Sequence, residues 1–175
     1  MGYTTDFSGT IKIEPPLNKA EILYLEAFNG SRRVKRTKGP YFVGDTDTGV
    51  FRPGGKITQH DDVIDSNCPP DGQPGLWCHW MPSPEGDEIE WDGGEKFYDS
   101  EEWMRYIIDH FLKPDCAARI ALPFLQANHI CNGEIEAQGE DSSDSWLLIV
   151  KDNVVSSERL VKVRESKLKS LIEDL

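Results

Sequence analysis

Nine carboxylates fall close together in the chain, at Glu85, Asp87, Glu88, Glu90, Asp92, Glu95, Asp99, Glu101 and Glu102, with Lys96 the one basic residue among them. Trp77, Trp80, Trp91 and Trp103 bracket this segment. Carboxylates beside indoles suit a cationic or protein partner, since the acids supply charge and the rings supply amphipathic contact area. Paired carboxylates can also do acid–base work, but only where burial separates their pKa values. Here Ile89 and Trp91 alternate with Glu88, Glu90 and Asp92, which places the acids on the solvent side of a strand. The expected partner-binding residues are therefore Glu85, Asp87, Glu88, Glu90, Asp92 and Glu95. In a sharper form of this reading, the acids imitate nucleic-acid charge and occupy a basic nucleic-acid-binding site on another protein.

A second charged group has the opposite sign. Arg32, Arg33, Lys35 and Arg36, followed by Lys38, form a basic run with no acid among them, and Arg32, Arg33, Lys35 and Arg36 are the expected anion-binding residues. Joined to His60, Asp61 or His79 as acid–base groups, they define the alternative reading: a small enzyme or ligand-binding protein taking an anionic small molecule under residues 30–75. A non-enzymatic, acidic interaction protein is the leading reading. No catalytic residue is assigned.

Metal and cofactor chemistry finds little support. His60, Asp61, Asp62, Asp65, Cys78, His79, His110, His129 and Cys131 are metal-capable, yet their spacing matches no recognised zinc pattern. Adjacent Cys78 and His79 on a strand would point to opposite faces. Asp45-Thr46-Asp47-Thr48-Gly49 lacks the later ligands of a calcium loop. Neither phosphate-cradling glycine pattern occurs, nor a G-x-S-x-G elbow. No metal and no cofactor are expected.

The 175 residues carry 19 Lys and Arg against 31 Asp and Glu, a net charge of −12. That balance argues against direct nucleic-acid binding, which needs a basic surface. No apolar run reaches the roughly 20 residues of a membrane span. The opening Met1-Gly2-Tyr3-Thr4-Thr5-Asp6 has neither the basic start nor the apolar stretch of a leader. Four dispersed cysteines read as buried thiols rather than disulfides, and the expected location is cytoplasmic.

The elements that must position these residues follow from periodicity. Phe7, Ile11 and Ile13 alternate as a strand that stops at Pro15-Pro16. Asn18 and Glu21 form a capping box for a helix ending at Asn29-Gly30. Residues 30–75 hold eight Gly and five Pro, which predicts a long irregular insertion. Residues 76–81 and 88–92 read as a hairpin. A second helix starts from an Asp99–Glu102 box, buries Trp103, Ile107 and Phe111, and ends before Pro114. Residues 117–125 are a further helical stretch. Residues 133–137 and 146–150 are strands, and from Ser157 onward Leu160, Val163, Leu168, Leu171 and Leu175 recur near a helical period. The predicted fold is α+β: an antiparallel sheet with two helices on one face, split βαβ-like in the order β-α-β-β-α-β-β, plus a C-terminal amphipathic helix. Residues 1–155 form one domain and residues 156–175 the tail helix, through which a homodimer could assemble. Glu88-Ile89-Glu90-Trp91 is echoed by Glu134-Ile135-Glu136-Ala137, as two strand ends with acids facing solvent.

The runs Gly72-Gln73-Pro74-Gly75-Leu76-Trp77-Cys78-His79-Trp80 and Glu90-Trp91-Asp92-Gly93-Gly94-Glu95-Lys96-Phe97-Tyr98, with Trp103 and His110-Phe111-Leu112, carry a resemblance. The chain resembles a family of small, uncharacterised proteins of bacteria and their phages that open with a similar Gly-Tyr-Thr-Thr-Asp-Phe. The resemblance covers residues 1–29 and 72–155. It implies a bacterial or phage origin and attaches no reaction, cofactor or partner.

Overall fold

The computed structural model describes residues 2–43, 49–52, 56–59, 61–161 and 172. In chain order its elements are β1 (Thr5–Glu14), α1 (Lys19–Asn29), β2 (Lys35–Arg36), β3 (Gly49–Arg52), β4 (Lys56–Gln59), β5 (Val63–Asp65), β6 (Trp80–Pro82) and β7 (Glu88–Trp91). Then come α2 (Ser100–Ile107), continued by a π-helical turn (Ile108–Leu112), and β8 (Ile130–Gly139), β9 (Ser145–Lys151) and β10 (Val154–Arg159). Six strands form the main sheet, ordered β10-β9-β8-β1-β7-β6, with every neighbouring pair antiparallel. The α+β class and the mainly antiparallel sheet with two helices agree with the sequence reading.

Period-two alternation sorts the strand residues into two faces. Phe7, Ile11 and Ile13 of β1, Ile89 of β7, Cys131, Ile135 and Ala137 of β8, Leu148 and Val150 of β9 and Val155 of β10 are all buried. They share one core with Leu25 and Phe28 of α1 and with Trp103, Met104, Ile107 and Phe111 of the second helical segment. Phe7 packs edge-on to Trp80 at 5.2 Å and to Phe97 at 5.7 Å, and Phe28 to Phe111 at 5.1 Å. The alternate positions Ser8, Lys12, Glu134 and Glu136 stay in water. β1 and β8 approach so closely that Gly133, opposite Ile11, must remain glycine: its φ is +152°, and a Cβ there would lie 2.6 Å from the Thr10 carbonyl oxygen.

The start of α1 follows the capping rule. Asn18 Oδ1 accepts from the Glu21 N–H at 2.9 Å, and the Glu21 carboxylate accepts from the Asn18 N–H at 2.8 Å. Glu21 does more than cap, because it is buried against His129, with their side chains 1% and 0% exposed. Its Oε1 stands 3.2 Å from His129 Nε2 and accepts the Gln126 N–H at 2.6 Å, while His129 Nδ1 lies 2.6 Å from the Pro15 carbonyl. Burial alone would lower the imidazole pKa, but the Glu21 carboxylate and the Pro15 carbonyl outweigh it and leave it raised. Burial would raise Glu21, and His129 with two backbone N–H groups reverses that. A carboxylate–imidazolium pair thus pins α1 to the approach of β8.

Four expectations need correction. The helix expected from Ser157 does not begin there, because Val154–Arg159 pairs with β9 as a sixth strand. Val155 opposite Val150 buries a side chain on the sheet, and the strand carries the chain through Ser157–Arg159. Residues 162–171 and 173–175, where the rest of that helix would lie, are outside the described residues. Asp99 does not cap α2; it takes a left-handed conformation (φ 55°) and makes no side-chain cap bond. Residues 117–125 form turns, and Pro123, which has no N–H to donate, interrupts any helical ladder there. The insertion is not irregular throughout: β3 pairs with β4 as a hairpin, and β2 with β5.

Candidate functional site

The acidic segment is divided by the fold rather than gathered. Glu85 and Asp87 lie in the exposed β6–β7 turn. Glu88 and Glu90 project from β7 onto the sheet face that carries neither helix. Glu101 and Glu102 belong to α2, on the other layer, and Glu101 is paired with Arg105 at 2.7 Å. Glu95 and Asp99 are in the connecting loop. The nine acids therefore share no single face.

Asp92 has an internal task. Its carboxylate stands 3.0 Å from His79 Nδ1 and accepts from Asn29 Nδ2 at 2.9 Å and the Gly94 N–H at 2.7 Å. Burial would raise its pKa, but those three partners together lower it. His79 also packs edge-on to Phe97, with centroids 5.0 Å apart, and a Cβ at Gly94 would run into the imidazole. This accounts physically for His79, Asp92, Gly94 and Phe97 in the two conspicuous sequence runs: they close a loop around a carboxylate-held imidazole.

The basic run is likewise engaged within the fold, with Arg33 and Arg36 buried. Arg33 is 3% exposed; its guanidinium lies over the Phe28 ring at 4.1 Å and donates to Ser31 Oγ, the Phe42 carbonyl and the Pro40 carbonyl. Burial lowers its pKa, which neighbouring phenols partly oppose. Arg36 is paired with Asp62 at 2.9 Å, its side chain 4% exposed. Lys35 is paired with Asp71 at 3.0 Å, and Arg32 donates to Asn67 at 3.3 Å. These four residues fasten the insertion to itself and to the core, and the structure brings neither Arg33 nor Arg36 together with His79 in hydrogen bonds. His60 and residues 44–48 are outside the described residues. Among the described residues no group of three or more His, Cys, Asp or Glu is arranged to hold a metal ion. Cys78, Cys116 and Cys131 are buried thiols, whereas Cys68 is exposed.

The uncovered sheet face does collect acids, from two strands instead of one segment. Lys12 of β1 stands opposite Glu88, while Thr10 and Ser8 stand opposite Glu134 and Glu136 of β8. One Glu-x-Glu pair therefore lies on each side of β1. The carboxylates are spaced by about 6.7 Å along each strand and roughly 9.6 Å across β1. None of the four has an ion-pair partner among the described residues. Beyond them, Leu147 and Ile149 of β9, opposite Glu136 and Glu134, are half-buried on the same face. Glu134 and Glu136 lay outside the expected binding residues, although the internal echo already marked them.

No family model, curated protein or solved structure matches this chain. Among the described residues no helix is long and apolar enough to cross a membrane.

Proposed function

We propose that the protein is a non-enzymatic interaction module whose open sheet face receives a basic protein partner. The observation that carries this reading is the quartet Glu88, Glu90, Glu134 and Glu136, unpaired on one face around β1. Half-buried Leu147 and Ile149 beside it supply the apolar contact that a charged rim alone lacks. The nucleic-acid-mimicking form of the proposal rests on this quartet and no longer on the whole acidic segment, because Asp92 and Glu101 are occupied internally.

The same proposal carries the finer view of the topology and of the cell compartment. β7 stands between β1 and β6, and β1 between β7 and β8, which supports reading β1–α1–β6 and β7–α2–β8 as two interlocked split βαβ units. A cytoplasmic protein of bacterial or phage origin fits this account.

The test is affinity capture from host cells with the intact protein and with E88Q/E90Q/E134Q/E136Q, near-isosteric changes at two half-buried and two exposed sites that should leave the fold unchanged by circular dichroism. A partner held by the natural protein and lost with the quadruple variant supports the reading, and release of that partner by competing oligonucleotide supports the mimic. A partner retained in full by the quadruple variant overturns it.

A further inference from the structure

A cleft of about 690 Å³ lies where the insertion meets the turns of residues 117–125. Its walls include Tyr41 and Phe42 of the insertion, Leu122 and Phe124 of the turns and, nearly buried, Tyr24 of α1. Tyr41, Phe42 and Leu122 are half-buried and Phe124 is 37% exposed, so folding leaves apolar surface of four side chains open to solvent in one concavity. A volume in the range of roughly 300–1,000 Å³ and a mainly apolar lining are the marks of a small-molecule site.

The polar groups of these walls are already spoken for. The Tyr24 hydroxyl donates to the Tyr41 carbonyl at 2.8 Å, and the Tyr41 hydroxyl lies 2.7 Å from His110 Nδ1. The Pro40 and Phe42 carbonyls accept from the buried Arg33 guanidinium at 2.7 and 3.0 Å, and the Phe124 carbonyl accepts from Asn18 Nδ2 at 3.2 Å. Burial raises the pKa of both phenols, so neither is ionised near neutral pH. The same bonds fix the walls in place, and the Tyr24 and Phe124 rings rest on each other with centroids 5.4 Å apart. What the cleft offers a visitor is therefore apolar surface, held open in advance.

One charge is left over. Lys38 is the one charged residue among the described lining residues, and it is exposed. Unlike the rest of the basic run it has no ion-pair or hydrogen-bond partner among the described residues; its ammonium lies 4.3 Å from the centroid of the Phe42 ring. Asp62, the acid whose carboxyl Lys38 helps to hold down, is bonded directly to Arg36 at 2.9 Å. Apolar walls with a single unpaired ammonium complement a molecule that is apolar at one end and singly anionic at the other. We propose that this cleft binds a small monocarboxylate with an unbranched alkyl tail, its carboxylate at Lys38 Nζ and its tail against Phe42, Leu122 and Phe124. The cleft shares no residue with the sheet face, and its test is independent of the function proposed there.

The experiment is an NMR titration of the full chain with octanoate, following the ring signals of Tyr41, Phe42 and Phe124, beside hexanoate and octylammonium. Saturable shifts with octanoate are expected. Each buried methylene is worth about fourfold in affinity, so hexanoate should bind at least about fivefold more weakly, and octylammonium more weakly than octanoate. Two substitutions at exposed positions, neither of which should change the circular dichroism, separate the head from the tail. Lys38→Gln should weaken octanoate about threefold or more, and Ala121→Trp, which places an indole in the cleft, should abolish the shifts. Shifts that rise linearly without saturation, equal affinity for octylammonium, or full octanoate affinity in either variant would each overturn the proposal.

Discussion

At the scale of single residues, two imidazoles are each held by a carboxylate and are used differently. His79 is held by Asp92 near the surface, where Gly94 leaves room for the ring. Gly94→Ala should destabilise the protein by about 1–3 kcal/mol, the range for forcing a methyl group into filled space. In a His79→Ala background the same change should cost much less, and urea unfolding of the four proteins measures the difference. His129 is held by Glu21 in the interior. Removing one partner of a buried pair leaves the other uncompensated, so His129→Ala should cost about 3 kcal/mol or more. The pH dependence has a definite sign. Glu21 is lowered from its ordinary 4.5, so its contribution is present above that value and is lost as pH falls through the lowered pKa. His129 is raised from 6.5, so its contribution is full below 6.5 and is lost as pH rises through the raised pKa. The pair therefore supports the fold best between about pH 4.5 and 6.5, and that maximum should be absent from the stability–pH curve of His129→Ala.

At the scale of elements, what could be read in the sequence depended on whether local chemistry agreed with burial. The Asn18–Glu21 box and the alternation of Phe7, Ile11 and Ile13 are local signals that the tertiary structure also rewards, and both elements form where expected. The Asp99–Glu102 pattern is equally local, yet the loop reaches α2 with Asp99 left-handed, and the box does not close. The tail shows the reverse conflict, with a helical period in the sequence and a free sheet edge in the fold. Through Ser157–Arg159 the chain runs as β10 along β9, with Val155 opposite Val150. The sheet-face quartet was half legible, because residues on β7 and β8 become neighbours only through β1, a pairing that no short-range pattern contains. The roles of Arg33 and Arg36 were hidden for a related reason: a run of positive charge looks the same whether it faces water or binds the carbonyls and acids of its own loop. The β1–β8 pairing has its own test. Gly133→Ala would press a methyl group against the Thr10 carbonyl at positive φ, and should cost about 2 kcal/mol or more by urea unfolding.

At the scale of the whole molecule, the net charge of −12 acts on association more than on the fold. A field of this sign would draw the proposed basic partner toward the sheet face before contact, and is screened within about 8 Å at physiological salt. Once the partner is in hand, stopped-flow mixing should show its association rate falling about tenfold or more between 0.05 and 0.5 M salt, with dissociation changing far less. A salt-independent association rate would place the contact on the apolar residues Leu147 and Ile149 alone.

The two ends of the main sheet are not alike. β6 offers three residues, the last of them Pro82, which has no amide proton to give. β10 offers six residues, with Val154 outward at one end. Among the described residues no strand lies beyond β10, so strand-by-strand growth blocked at β6 would proceed, under stress, through β10. A proline placed in that strand would make the protein resistant to seeding.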